Sequence, residues 1–106
     1  MALNPHDSYR QGTSQNVSYA AAGGASAQSA AFGSQTYWIR VAAVGVLSAT
    51  LDGVRIKVGD NPTASATTTL LPLNWVETIR CTPGQKIAVL GNNTGTGTVN
   101  ITELSD

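Results

Sequence analysis

Beyond about residue 13, apolar side chains recur at every second position in short runs, and Gly, Pro, Asn or Asp ends each run. A repeat of two puts successive side chains on opposite faces of a pleated strand, so each run predicts one face in a core and one in water. Residues 36–43 carry the pattern strongly: Tyr37, Ile39 and Val41 point one way, and Trp38, Arg40 and Ala42 point the other. In residues 54–58, Val54, Ile56 and Val58 alternate with Arg55 and Lys57, which predicts a half-buried strand. The same reading predicts strands at 15–21, 27–32, 67–71, 73–81, 86–90 and 98–104. Residues 46–51 are expected to form a short strand or bulged extension closed by the hairpin dipeptide Asp52-Gly53.

The breaks have physical causes. Pro62 pushes Asn61 out of the helical region and removes an amide, so the chain must leave its sheet at Gly59-Asp60-Asn61-Pro62. Thr82-Pro83-Gly84-Gln85 is a second turn. No window repeats apolar residues at i, i+3, i+4 and i+7, and the alanine-rich stretch 20–31 is interrupted by Gly23-Gly24, each costing about 1 kcal/mol in a helix. The expected fold class is therefore all-β: a two-sheet antiparallel β-sandwich of jelly-roll type with about eight strands. A closed barrel or an immunoglobulin-like sandwich fits the same strand spacing. Residues 1–12, including Pro5, His6, Tyr9 and Arg10, have no periodicity and are expected to form an extended N-terminal arm on a sandwich domain of residues 13–106.

Charge changes the picture. Six Lys and Arg balance six Asp and Glu, which gives no long-range attraction to nucleic acid, so none is expected as a partner. Only 11% of residues are charged, against about 25% in an ordinary soluble domain. Ala, Gly, Ser and Thr take their place, and a surface of short neutral side chains lets two proteins approach closely with little ionic desolvation. No run of about 18 apolar residues occurs and no basic segment leads into an apolar one, so neither a membrane span nor a secretory leader is expected.

Candidate chemistry is sparse. His6 is the one histidine and falls in the arm, which leaves a nucleophilic triad without a fixed base. Cys81 has no neighbouring base or metal-ligand spacing and is expected in the core. Glu77 and Glu103 read as solvated positions or partners for Arg40 or Arg80 rather than a glycosidase pair. Asp52, Asp60 and Asn61 are too few to specify a Ca²⁺ site, and the 91–97 glycine-rich loop lacks the helix a phosphate cradle needs. The expectation is no enzyme, no catalytic or metal residue and no cofactor.

The large aromatics are more informative, because Trp and Tyr either fill a core or anchor an interface. An alternating strand cannot bury both Tyr37 and Trp38 in one core, nor both Trp75 and Val76. The expected contact residues are Pro5, His6, Tyr9 and Arg10 from the arm, with Trp38, Arg40 and Trp75 from the sandwich.

Several of these runs, taken together, resemble one family. They are Tyr37-Trp38-Ile39-Arg40-Val41, the turn Gly59-Asp60-Asn61-Pro62-Thr63-Ala64 after Val54-Arg55-Ile56-Lys57-Val58, then Leu70-Leu71-Pro72, Pro83-Gly84-Gln85-Lys86 and Val99-Asn100-Ile101-Thr102-Glu103-Leu104. Over residues 15–104 the chain is similar to small virion proteins of tailed bacteriophages; residues 46–53 are longer than that pattern. The resemblance implies a jelly-roll capsid decoration (cement) protein, a homotrimer on the outer face of the head that bridges subunits of the major capsid protein. It would be assembled in the host cytoplasm. Similar phage modules serve as head fibres or tail-associated adaptors. A carbohydrate-binding module for host attachment, stacking sugars on Trp38 or Trp75, is the competing expectation.

Overall fold

A computed structural model of the chain describes residues 10–45, 53–93 and 95–105. They form eight strands: β1 (Arg10–Tyr19), β2 (Ala27–Gln28), β3 (Trp38–Gly45), β4 (Gly53–Gly59), β5 (Thr69–Pro72), β6 (Val76–Arg80), β7 (Lys86–Gly91) and β8 (Gly97–Ser105). Every pairing is antiparallel. A front sheet runs β1-β8-β3-β6 and a back sheet β2-β7-β4-β5. The first strand thus pairs with the eighth, the second with the seventh, the third with the sixth and the fourth with the fifth. That nested order is the jelly roll, and it excludes the barrel and the immunoglobulin-like alternative.

The alternation works as the pattern requires. Ile39 and Val41 of β3, Ile56 of β4, Val89 of β7, and Val99 and Ile101 of β8 turn inward and are at most 3% exposed. Burying each such side chain is worth about 1.5–3 kcal/mol. Phe32 and Cys81 join the same core from the connections.

Four expectations need correction. β1 starts at Arg10, so Arg10, Gln11 and Gly12 belong to a strand whose Arg10 and Gln11 pair with Ser105 and Leu104. The strand expected at 27–32 is regular only at Ala27–Gln28. Beyond it the Ser29 hydroxyl accepts the Ile87 amide at 3.0 Å and takes over the role of a backbone carbonyl. The strand expected at 73–81 begins at Val76, because Asn74 adopts φ 61° in a turn. The Thr67 start moves to Thr69, since Ser65 and Thr68 close a turn through the Thr68 amide and hydroxyl on the Ser65 carbonyl. The strand or extension at 46–51, and Asp52 of the Asp52-Gly53 turn, lie outside the described residues.

The two outer faces differ. On the back sheet, the segment after β4 folds across the strands: Gln28 Nε2 donates to Asn61 Oδ1 at 2.9 Å and to the Pro62 carbonyl at 2.8 Å, and the Ala64 amide donates to Ser26 Oγ at 2.9 Å. Pro62 and Ala64 are buried, and Ala88, which faces outward from β7, is fully covered. The front sheet has no comparable roof among the described residues.

Candidate docking face

The pairing register fixes what the front sheet shows to its surroundings. Outward from β3 come Trp38, Arg40, Ala42 and Val44; opposite them on β6 stand Arg80, Thr78 and Val76, and on β8 Leu104, Thr102, Asn100 and Thr98, of which Leu104 and Thr102 are themselves buried. β1 adds Ser14, Asn16 and Ser18. The short polar side chains are tied to one another across the strands. Ser14 and Thr102 share a hydrogen bond of 2.8 Å, Asn100 Nδ2 donates to Asn16 Oδ1 at 2.9 Å, and Thr102 Oγ1 donates to Asn100 Oδ1 at 3.3 Å. Such cross-strand pairs leave few of these polar groups needing a new partner.

Its charge is one-sided. Arg40 sits half-buried on the central strand, and Arg80 lies over the Trp38 ring, its guanidinium carbon 5.8 Å from the ring centroid. No Asp or Glu points outward from this sheet among the described residues. Glu103 turns the other way, accepting the Gly33 amide at 3.0 Å and a short hydrogen bond from the Thr36 hydroxyl. Glu77 stands opposite Val41 on the inward side of β6. Of the two expectations for these acids, a solvated position or a partner for Arg40 or Arg80, Glu77 meets the first, exposed and accepting the Trp75 Nε1–H on Oε2 at 3.3 Å, while Glu103 is fastened to the 33–36 connection instead.

Of the residues expected at a contact, Trp38 and Arg40 come together on the front sheet. Arg10 is exposed at the start of β1, and Pro5, His6 and Tyr9 lie outside the described residues. Trp75 is 57% exposed and stands apart, where the edges of β5 and β6 leave the sandwich open. A cavity of about 320 Å³ lies there, lined by Ile56, Val58, Leu71 and Ile79 with Trp75 and Glu77. Both Trp75 and Val76 escape the core, which is more than alternation required.

Tyr37 departs from the alternation that groups it with Ile39 and Val41. Those two are buried, yet Tyr37 is 49% exposed: β3 begins at Trp38, two residues after the expected start, and the Tyr37 carbonyl accepts the Cys81 amide at 2.8 Å. It joins Trp38, Arg80, Gln35, Leu104 and Ser105 around a shallow cleft at one end of the front sheet. Arg80 was also missed as a surface group; its position three residues before Pro83-Gly84 carries no signal, and only the β3–β6 register reveals it beside Trp38.

Cys81 is buried, and its thiol is pushed up from 9.0 to about 11, first by burial and second by the Glu103 charge. A thiol held in that state is a poor nucleophile. Among the described residues no three His, Cys, Asp or Glu side chains converge on a point where a metal could bind, and no helix is long and apolar enough to cross a membrane. No family model, curated protein or solved structure matches the chain.

Proposed function

We propose that this protein is a capsid decoration protein: a virion structural component, trimeric, that lies on the outer capsid surface and braces the head by bridging major capsid subunits. The observation that carries the reading is the asymmetry of the sandwich. One outer face is roofed by the chain's own 60–68 segment, while the other, which no described segment crosses, carries Ser, Thr, Asn and Ala around Trp38 and Arg40. Faces of small neutral residues with an aromatic and an arginine suit broad, permanent contact between folded proteins. The jelly-roll topology and the resemblance to tailed-phage virion proteins support the same reading.

The test is assembly. Purified protein should sediment near three times 10.9 kDa, and it should bind expanded heads of its own virus from which it has been stripped, raising their resistance to heat. A protomer that stays single and leaves stripped heads undecorated is the contrary result.

A second reading, a glycan-binding module on a head fibre or tail adaptor, is favoured by the exposed Trp75 ring beside an apolar cavity with the Glu77 carboxylate at hand. Tryptophan emission quenched by a defined glycan, and unresponsive in Trp75→Ala, would support it.

A further inference from the structure

Three arginines of this chain sit on outward positions of the two sheets, and they differ in what they hold. Arg55, on the back sheet, has its acceptors built in: Nε donates to Asn92 Oδ1 at 2.9 Å and Nη1 to the Thr68 carbonyl at 3.0 Å. Arg40 and Arg80, on the front sheet, donate no side-chain hydrogen bond to any described residue. Arg40 is half-buried and Arg80 exposed; each guanidinium carries five donors, so leaving either without an acceptor under a docked partner is costly. Their register positions make them diagonal neighbours, Arg40 opposite Thr78 and Arg80 opposite Trp38, which places them about 7–8 Å apart at the backbone.

We propose that the front sheet is a carboxylate-reading face, and that its occupant is a protein surface presenting Asp or Glu side chains to Arg40 and Arg80 across Trp38. The inference rests on the docking reading above and adds the chemistry of the partner. Charge complementarity carries it: the outward face bears two cations and, among the described residues, no acid, so a neutral or basic partner would bury both charges unpaired. Planar guanidinium groups take carboxylates through two parallel N–H···O bonds, and the Arg80 group already lies over the Trp38 ring, its carbon 5.8 Å from the centroid. A protein fits better than an acidic polysaccharide, because Arg40 stands mid-strand on a face whose Ser14, Asn16, Asn100 and Thr102 already satisfy one another and leave few groups for sugar hydroxyls.

The experiment uses the full chain labelled for NMR of arginine Nε–H and indole N–H groups, titrated with poly-L-glutamate and, separately, with hyaluronate. Poly-L-glutamate is expected to shift the Arg40, Arg80 and Trp38 signals and leave Arg55 in place. The double variant R40Q/R80Q should bind at least tenfold more weakly, R40K/R80K should recover part of the loss, and Lys86→Gln should match the wild type. Thermal melts of each variant separate lost binding from lost folding. Shifts confined to the back sheet, no response at all, or tighter binding of hyaluronate than of poly-L-glutamate would each overturn the proposal. Binding of R40Q/R80Q to stripped heads separates the two ideas. Unchanged decoration sinks the carboxylate assignment alone, whereas a wild type that binds poly-L-glutamate but never heads sinks the decoration reading alone.

Discussion

The carboxylate of Glu103 accepts the Gly33 amide at 3.0 Å across a separation of 70 residues, and thereby fastens β8 to the connection leading into β3. The Thr36 hydroxyl, in a residue that is itself buried, donates to the same Oε1. Both bonds are charge-assisted, and removing the acceptor leaves the Thr36 hydroxyl without it in a closed site. Glu103→Ala should therefore cost about 2–3 kcal/mol in urea unfolding. Glu103→Gln, which keeps one oxygen without the charge, should cost less.

Gly91 is required for close approach rather than for an unusual dihedral. A Cβ there would stand 2.6 Å from the Ala20 carbonyl oxygen and 3.0 Å from that of Gly95, while the Gly91 amide already donates to the Ala20 carbonyl at 2.7 Å. These neighbours are backbone and cannot rotate aside. Gly91→Ala is expected to destabilise the fold by about 1–3 kcal/mol, measured as a fall in urea midpoint with an unchanged slope.

Cys81 gives the protein an alkaline limit. Its pKa is higher folded than unfolded, so the neutral thiol stabilises the native state fully below about pH 9, and that contribution is lost as pH rises toward about 11. The wild type should lose stability across that window, and Cys81→Ala should show a flatter profile there. In native protein at pH 8 the thiol should resist a disulfide reagent that modifies it at once in urea.

Trp75 and Trp38 should separate cleanly in mutagenesis. Trp75 is mostly in water, so Trp75→Ala should move stability by no more than about 0.5 kcal/mol while removing the red-shifted part of the emission. Trp38 is half-buried and stands beside Leu104, its register partner on β8, which is only 7% exposed. Trp38→Ala should uncover that leucine and cost more, about 1–2 kcal/mol in the same urea assay.

The strands most legible in the chain were those with one wet face. Val54 to Val58 alternates with two cations and could be placed almost to the residue; residues 98–104 were similarly sharp, and residues 86–90, buried on both faces, were marked instead by the Pro83-Gly84 turn before them. Where side-chain hydroxyls substitute for backbone partners, as at Ser29 and Thr68, the sequence looks like strand while the ladder has stopped. Trp38 and Arg40 could be singled out as outward because alternation forbids burying both them and their neighbours. Arg80 and Tyr37 could not: one depends on a register with a strand some forty residues away, the other on a carbonyl turned toward Cys81. The roof over the back sheet was equally hidden, since Pro62 announces a departure from the sheet but not the direction taken.

The nested pairing order has a consequence for biosynthesis. Val17 emerges from the ribosome long before Val99, the residue it must lie against, and the outermost ladder is the last to close. A chain with such distant partners pays loop-closure entropy before its front sheet forms, and refolding should take milliseconds to seconds rather than microseconds. Until β8 pairs, β1 offers ten residues of unsatisfied strand edge, so a truncation that removes β8 should yield insoluble rather than merely weakened product.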